Sequence, residues 1–414
     1  MTNAASEREL AEPVPAGPVK QRNRIITLDV LRGFALLGIL LMNIQSFSMI
    51  DAAYLNPTAN ASLDGANRWV WYFCSLLVDL KFMGLFSILF GAGIGLMADK
   101  SIRQNSSATA LHYRRMFTLL LIGLAHAYLI WSGDILVMYS ICGSFVYLVA
   151  RLSARWLLAL GSLSLLIGLS IWTLLGLAIL IAPESEMAEL RESDWQPTPE
   201  LVQEELAVFR GSWREQQQRR TVSTFQMHLI GLPIMFWRTC GMMLIGMAMF
   251  RVGVLSGDRS NITYVSMAAV GFVIGFPIIA WGIHWNISND WSMRTSLFLG
   301  TLPNQIGSIF VSLGYIGMII LLLRSRVGDF MQATLAPVGR MALTNYLGQS
   351  VICTFLFYGH GFGWIGTVDR VGQLLIVLCV WAFQIISSML WMAKFRFGPM
   401  EYCWRKMTYG KAFG

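Results

Sequence analysis

The chain is long, strongly apolar and poor in charge. It has 414 residues, of which 55% are hydrophobic and 13% are charged, with a formal net charge of +8 and a mean hydropathy of +0.57. Soluble globular domains carry about 25% charged residues, so this composition excludes an ordinary cytosolic enzyme, a disordered chain and a secreted disulfide scaffold. It predicts an all-α, polytopic membrane helix bundle.

The chain divides into a polar tail and one apolar domain. Residues 1–24 predict a disordered cytoplasmic tail, and residues 25–414 a single transmembrane domain. No small-residue cleavage site follows the tail, so we expect the first apolar run to be retained as an anchor. Because a span needs roughly 20 apolar residues, the runs between charged residues predict about ten transmembrane helices: 30–50, 70–97, 116–132, 135–150, 156–182, 239–255, 262–285, 296–323, 341–357 and 371–393.

The distribution of positive charge predicts the orientation. If the loops alternate between the two sides, twenty of the 31 Lys and Arg residues fall on the side of the termini and eight on the other. Cytoplasmic loops carry the excess of Lys and Arg. Both termini are therefore expected in the cytoplasm.

Two segments outside the predicted spans have helical patterns. Residues 183–225 hold nine of the 23 acidic residues and predict an outer acidic helical segment. Within it, Thr198 followed by Pro199 is typical of an N-cap and a first-turn proline. The apolar spacing over 398–408 predicts an interfacial helix on the inner membrane surface.

The first span opens with Asp29 and Arg32 and continues to Asn43. Eleven residues are three helical turns plus about 20°, so Arg32 and Asn43 share one face, about 16 Å apart along the axis. The functional interpretation is that Arg32, paired with Asp29, binds phosphates at the inner mouth, with Asn43 deeper in the same groove. The alternative is an Asp N-cap beside an Arg that extends to the headgroups.

His126 lies about one and a half turns before the end of the third predicted span, and Asp134 opens the fourth. An ionisable group at that depth needs a partner, and a His oriented by a carboxylate is the usual arrangement of a general base. His126 and Asp134 are therefore the catalytic candidates, together with Asn43. The alternative is a neutral His bonded to a neighbouring helix and a plain Asp N-cap.

Further polar residues inside the apolar runs are weaker candidates for substrate binding: Asp79, Lys81, Arg238, Asn345 and Gln349. Asp79 and Lys81, two residues apart, are expected on different sides of a helix, with a break or bend near 81–84. Arg238 predicts an interfacial piece before the sixth span. Residues 303–305 predict a kink in the eighth. Most such groups join helices to one another.

Several common kinds of site are not predicted. The six cysteines include no CxxC pair and the five histidines no HxxxH spacing, so we expect no metal. Residues 91–95, Gly-Ala-Gly-Ile-Gly, follow no strand and predict close helix packing, not a nucleotide loop. The positive charge lies in short loops, so we expect no nucleic-acid partner.

Several blocks in order resemble the YeiB family of bacterial inner-membrane proteins of unknown function. They are Leu28-Asp29-Val30-Leu31-Arg32-Gly33, Phe86-Ser87-Ile88-Leu89-Phe90-Gly91, Gly133-Asp134-Ile135-Leu136, Gly339-Arg340-Met341-Ala342-Leu343-Thr344-Asn345-Tyr346 and Gly398-Pro399-Met400-Glu401-Tyr402. The resemblance runs from about residue 25 to the C-terminus. It implies a multi-pass protein of the bacterial cytoplasmic membrane.

The opening block is also similar to transmembrane acyltransferases, including the acyltransferase-3 proteins and heparan-α-glucosaminide N-acetyltransferase. This resemblance implies transfer of an acyl group from cytoplasmic acyl-CoA, usually acetyl-CoA, to an acceptor outside. Arg32 matches the Arg of the acyltransferase-3 pattern, whereas Asn43 stands where that pattern has its catalytic His. We infer that His126 replaces it.

The leading interpretation is thus a membrane-embedded acyltransferase with acyl-CoA as co-substrate and no metal. Its acceptor is expected to be a small molecule, glycan or lipid, and its partners membrane lipids; a homo-oligomer is compatible with the sequence. A transporter or lipid flippase without covalent chemistry is the alternative. A non-catalytic scaffold, acting through the acidic outer segment, is the third.

Overall fold

The computed structural model describes residues 25–59, 63–103 and 108–410, so the predicted disordered tail over 1–24 lies outside the described residues. Helices and turns make up the described ranges, and no strand occurs among them. The all-α prediction is confirmed for this part of the chain. The helices are α1 Ile26–Ser48, α2 Asp51–Leu55, α3 Gly65–Leu77, α4 Lys81–Arg103, α5 Ala108–Leu129, α6 Leu136–Tyr147, α7 Ala154–Ile181, α8 Glu184–Leu190, α9 Pro199–Arg210, α10 Trp213–Gln226, α11 Leu232–Arg251, α12 Asn261–Ser288, α13 Met293–Ser296, α14 Leu302–Leu323, α15 Gly328–Arg340, α16 Ala342–Phe357, α17 Arg370–Lys394 and α18 Pro399–Tyr409.

Seven helical stretches in the described ranges are long and apolar enough to cross a membrane, which indicates a multi-pass membrane protein. The helix α6 has 12 residues and rises only about 18 Å, less than the roughly 30 Å of a bilayer's hydrocarbon core. The helices α5 and α16 also fall outside the seven. The count of ten stays a prediction. The seven are 26–48, 65–99, 154–181, 213–251, 261–288, 299–323 and 370–394.

The connections between helices gather at two ends of the bundle. At one, which we call the cap end, α8–α10 and the turns around them meet the ends of α1, α3, α5 and α16. The Gly366 N–H there donates to the Ser48 carbonyl at 2.8 Å, and the Trp195 indole N–H to the Trp291 carbonyl at 2.8 Å. The other, the terminal end, holds the start of α1 and all of α18. There Arg251 pairs with Asp99 at 2.7 Å.

The helix α9 begins as its sequence predicts. The Thr198 hydroxyl accepts the Leu201 N–H at 3.4 Å, and Pro199 occupies the first turn. In α14, by contrast, the predicted kink is wrong. That helix begins at Leu302, so Pro303 lies in its first turn, where the missing N–H removes no helical hydrogen bond.

Glycines allow several pairs of helices to cross with their backbones in contact. A Cβ at Gly33 of α1 would overlap the Leu335 carbonyl oxygen of α15, and one at Gly339 would overlap the Asp29 carbonyl oxygen of α1. In the glycine run of α4, Gly91 lies against the Met243 backbone of α11. The predicted close packing is confirmed there, whereas a Cβ at Gly93 would meet open space. The α1–α15 crossing fixes Arg32 at the terminal end.

Replacing Gly339 by Ala tests this crossing. The new methyl group would meet a backbone oxygen that cannot turn aside, so we expect Gly339→Ala to cost at least about 1–3 kcal/mol and to lower the midpoint of thermal unfolding in detergent. Gly348→Ala is the matched control, because its Cβ would meet nothing within 4 Å. Equal midpoints for the two variants would contradict the crossing.

Candidate functional site

The structure brings His126 and Asp134 together at the cap end. His126 lies near the end of α5, and its Nδ1 is 2.6 Å from Oδ2 of Asp134. The other carboxylate oxygen, Oδ1, accepts the Val137 N–H at 2.8 Å in the first turn of α6. Asp134 therefore contacts both His126 and the first turn of α6. Its carboxylate is the partner of the His and also caps the start of a helix, two roles that the sequence offered as alternatives. Both side chains are fully buried.

The second ring nitrogen of His126 is available for chemistry. Its Nε2 is buried and has no hydrogen-bond partner among the described residues. The rings of Tyr346 and Trp131 lie beside it, with centroids 5.3 Å and 6.3 Å from the imidazole centroid. A carboxylate at Nδ1 favours the tautomer with the proton on Nδ1, which leaves the Nε2 lone pair free to accept a proton.

The helix α10 closes this site from above. Its Gln217, Arg220 and Thr224 lie on one face at spacings of three and four residues. They donate to the carbonyls of Tyr128, Leu129 and Ala127, at 2.6, 2.9 and 3.1 Å. These carbonyls belong to the last turn of α5, which has no helical donors of its own. The helix α10 thus caps the end of the helix that carries His126.

A second contact at the cap end involves two acidic residues, Glu205 and Asp51. The Glu205 carboxylate of α9 accepts the N–H of Asp51, the first residue of α2, at 2.8 Å. Asp51 lies 3.6 Å from Arg219 of α10. Partial burial and the neighbouring Asp51 charge raise the pKa of Glu205 to about 7.

The terminal end gathers arginine side chains. Arg32 donates to Asp29 at 2.7 Å, and 27% of its side chain is exposed. The guanidinium groups of Arg32 and Arg405 lie close enough to that of Arg115 to repel it electrostatically. Arg115 lies over the Trp404 ring of α18, 4.5 Å from its centroid. Such a group of guanidiniums beside an indole is suited to an anionic ligand with an aromatic part.

The helix α18 is anchored beside this group by its acidic residue. The Glu401 carboxylate accepts the N–H groups of Leu343 and Thr344, at 2.7 and 3.1 Å, at the N-terminus of α16. A carboxylate is favourable at the positive end of a helix dipole. The spacing over 398–408 predicts only an interfacial helix. It does not predict that Glu401 caps α16, because no residue near Glu401 in the sequence indicates that partner.

The spacing predicted on α1 recurs on α5. Arg115 and His126 are also eleven residues apart, so they share a face and lie about 16 Å apart along the axis. From the sequence, Arg115 counts only as one of the positive charges that predict the orientation. Asn43 is half-buried on α1. One turn further, Phe47 stacks on Trp131 at 4.2 Å, and through that contact α1 reaches the surroundings of His126.

Asp79 and Lys81 lie in one buried cluster, and the prediction that they face different sides of a helix is wrong. The helix α3 ends at Leu77 and α4 begins at Lys81, so the chain breaks over 78–80, directly before the predicted 81–84. Leu80 has a positive φ of 62°. Asn304 joins the two charged groups: it accepts from Lys81 Nζ and donates to Asp79 Oδ2, both at 2.7 Å.

Arg238 lies beside this cluster and inside the bundle. The chain is helical without a break from α10 through a π-helical turn at 227–231 into α11, so the interfacial piece predicted at Arg238 is wrong. Its guanidinium donates to the Gln305 carbonyl at 2.7 Å and to the Ser308 hydroxyl at 2.8 Å. Asp79 is close enough to attract it. The cluster thus holds two cations and one carboxylate, distinct from the His126 pair.

Asn345 and Gln349 connect helices. Asn345 donates to the Ser388 hydroxyl of α17 at 2.9 Å. Gln349 donates to Gln384 of α17 at 2.9 Å and to the Leu36 carbonyl of α1 at 3.4 Å. These bonds join α16 to α17 and α1. Asn345 and Gln349 thus join helices to one another, as most polar groups inside spans do.

The chain is similar to several curated bacterial proteins over nearly its whole length. It is 34% identical to the uncharacterized protein YeiB of Escherichia coli strain K12, over 93% of this chain and 96% of the relative. The chain belongs to the YeiB family. It is also 30% identical to the uncharacterized protein YxaH of Bacillus subtilis strain 168, over 95% and 96%.

A third relative is an uncharacterized 39.9 kDa protein from the amylase 3′ region of Bacillus acidopullulyticus, 27% identical over 96% of this chain and 97% of the relative. The family model that matches residues 249–411 is described as a protein of unknown function, DUF418. That match includes Asn345, Gln349 and α18, whereas Arg32, His126 and Asp134 precede it. The family thus indicates no particular reaction, and the site has to be judged by its geometry.

The contact between Glu205 and α2 predicts a pH dependence. The pKa of Glu205 is raised to about 7 from its ordinary 4.5, so the folded state binds this proton more tightly than the unfolded chain. This contribution to the free energy of unfolding is fully present below pH 4.5 and is lost as the pH rises through 7. We expect the midpoint of thermal unfolding to fall more between about pH 5 and pH 8 for the wild type than for Glu205→Gln.

The exposed neighbour Glu204 offers the control. Glu204→Gln should keep the wild-type pH dependence, because it changes the same charge outside the contact. A Glu205→Gln variant with an unchanged pH dependence would count against the raised pKa of Glu205.

Proposed function

We propose that the protein is a membrane-embedded acyltransferase that transfers an acyl group, expected to be acetyl, from acyl-CoA to an acceptor hydroxyl or amine. The observation that carries the proposal is the buried His126–Asp134 pair with its unpartnered Nε2. A buried His held by a carboxylate is the arrangement that activates a weak nucleophile. The resemblance to transmembrane acyltransferases adds the reaction class.

In the proposed reaction His126 acts as a general base. Its Nε2 takes the proton from the acceptor O–H or N–H while the acceptor atom forms a bond to the thioester carbonyl carbon. The C–S bond then breaks, and the leaving thiolate takes up the proton as free CoA. Asp134 stabilises the imidazolium in between, and Asn43 is the proposed donor to the thioester carbonyl or the acceptor.

The donor is proposed to bind at the terminal end. Arg32, with Arg115 and Arg405, supplies positive charge for the CoA phosphates, and Trp404 an aromatic surface for its base. The 16 Å between Arg115 and His126 along α5 is a separation that an extended pantetheine arm spans. With cytoplasmic termini, as the charge distribution predicts, CoA would enter from the cytoplasm and the acceptor from the cap end.

Acetyl-CoA binding to the purified protein tests the donor site. We expect saturable binding by calorimetry for the wild type and at least a tenfold loss for Arg32→Ala, since one charge-assisted contact contributes about 1.5–3 kcal/mol. Arg326→Ala, which removes an exposed arginine at the same end, should bind like the wild type. If the wild type binds neither acetyl-CoA nor longer acyl-CoAs, the proposal fails.

His126→Ala separates binding from chemistry. This variant should still bind acetyl-CoA. Its rate of acyl transfer to an acceptor that the wild type acylates should fall by about 10²–10⁴-fold, the usual contribution of a general base. His284→Ala, at an exposed position, is the control. Transfer at the wild-type rate by His126→Ala would exclude this base.

A transporter or flippase is the second candidate, and the Asp79–Asn304–Lys81 cluster with Arg238 favours it. Charged groups inside spans that are broken, as α3–α4 is, are typical of transport sites. Substrate-dependent solute or lipid movement in proteoliposomes that is lost in Lys81→Met but kept in His126→Ala would support transport over acyl transfer.

A further inference from the structure

Arg370 is placed unusually for an arginine at the end of a span. It is the first residue of α17, a 25-residue apolar helix, at the cap end. Arginines in such positions normally extend their charged group outwards to the headgroups and water. This side chain folds inwards, and the residue is 3% exposed. Sequence reasoning counted it only as a loop charge.

The contacts of Arg370 leave its charge uncompensated. One terminal nitrogen donates to the Gln45 side-chain oxygen of α1 at 2.5 Å, and the other to the Pro57 carbonyl at a long 3.5 Å. The Nε is buried without a partner among the described residues. The adjacent Asp369 accepts the Gly372 N–H at 2.9 Å instead. No carboxylate within the described ranges lies at ion-pair distance from Arg370.

A guanidinium in this position is costly without a counter-charge. It has five N–H donors, and only two contacts satisfy it here. A buried, uncompensated charge costs several kcal/mol, and the N-terminus of α17 adds further positive potential. The site therefore favours an anion.

The surroundings indicate what kind of anion fits. Arg370 lines a cleft between α1, α3 and α17, whose other walls are mainly apolar and include Trp71 and Leu374. Beside the cleft, Trp69 of α3 and Leu375 of α17 are 72% and 59% exposed. In a membrane protein such exposed apolar side chains face lipid. One charged group at the end of a span beside an apolar wall matches an amphiphile with an anionic head.

We propose that this cleft, which has room for about one water molecule between its walls, widens to bind the phosphate group of an anionic membrane amphiphile, with Arg370 as its counter-charge and the hydrocarbon chains against α3 and α17. Gln45 holds the guanidinium in place. The proposal is independent of acyl transfer. Phe47 contacts Trp131 beside His126, whereas Gln45 contacts Arg370. These two residues are two positions apart on α1 and therefore point to opposite sides of the helix.

The test uses the full-length protein in a neutral detergent, with phosphatidylglycerol, phosphatidylcholine or inorganic phosphate added. Phosphatidylglycerol should raise the midpoint of thermal unfolding of the wild type, whereas phosphatidylcholine and inorganic phosphate should leave it nearly unchanged. Arg370→Gln should lose this shift. Arg68→Gln should keep it, because that variant removes an exposed charge on α3, outside the cleft.

Three results would overturn the proposal: an equal shift in Arg370→Gln, no shift in the wild type, or an equal shift with inorganic phosphate, which would exclude the lipid as the source. If Arg370→Gln does not fold, native mass spectrometry of the wild type decides. Retention of phosphatidylglycerol over phosphatidylcholine from an equimolar mixture, unchanged in Arg68→Gln, supports the site, and equal retention of both lipids excludes it.

Discussion

Polar groups inside an apolar helix bundle must find their partners within the protein, because hydrocarbon supplies no water to bond them. The described part of this chain follows that constraint closely. Asn304 joins Asp79 to Lys81, and Asp134 holds His126. The few buried atoms left unpartnered are therefore informative. Nε2 of His126 and Nε of Arg370 are among them, and each lies where a ligand would complete the arrangement.

The same constraint explains how distant parts of the chain position the candidate site. The last carbonyls of α5 need donors, and α10, almost a hundred residues later, supplies them. The first N–H groups of α16 need an acceptor, and Glu401 of α18 supplies it. Glycine contacts then set the distance between helices, as at Gly33 and Gly339. Helix ends and helix crossings together place His126 at one end of α5 and the arginine group at the other.

Local sequence patterns predicted the structural features that are set by residues close together in the chain. The helical class, the capped start at Thr198 and the packing of Gly91 all follow from short-range chemistry. Pairings across many residues were not predictable in this way. The amide of Asn304 brings Asp79 and Lys81 together only because α3 ends at Leu77, and no local signal gives its partner. The same holds for Arg370, whose burial depends on Gln45, 325 residues away.

His126 can act as a base only if Asp134 holds the proton on Nδ1 and leaves the lone pair on Nε2, so the first measurement is the tautomer of this ring. Magic-angle-spinning NMR of the ¹⁵N-histidine-labelled protein in lipid would show it, with the His126 signals assigned by comparison with His126→Gln. We expect a protonated Nδ1 and an unprotonated Nε2 at neutral pH, and we expect Asp134→Asn to lose this tautomer. A proton on Nε2 in the wild type would contradict this expectation, since that nitrogen would then have no lone pair to accept one.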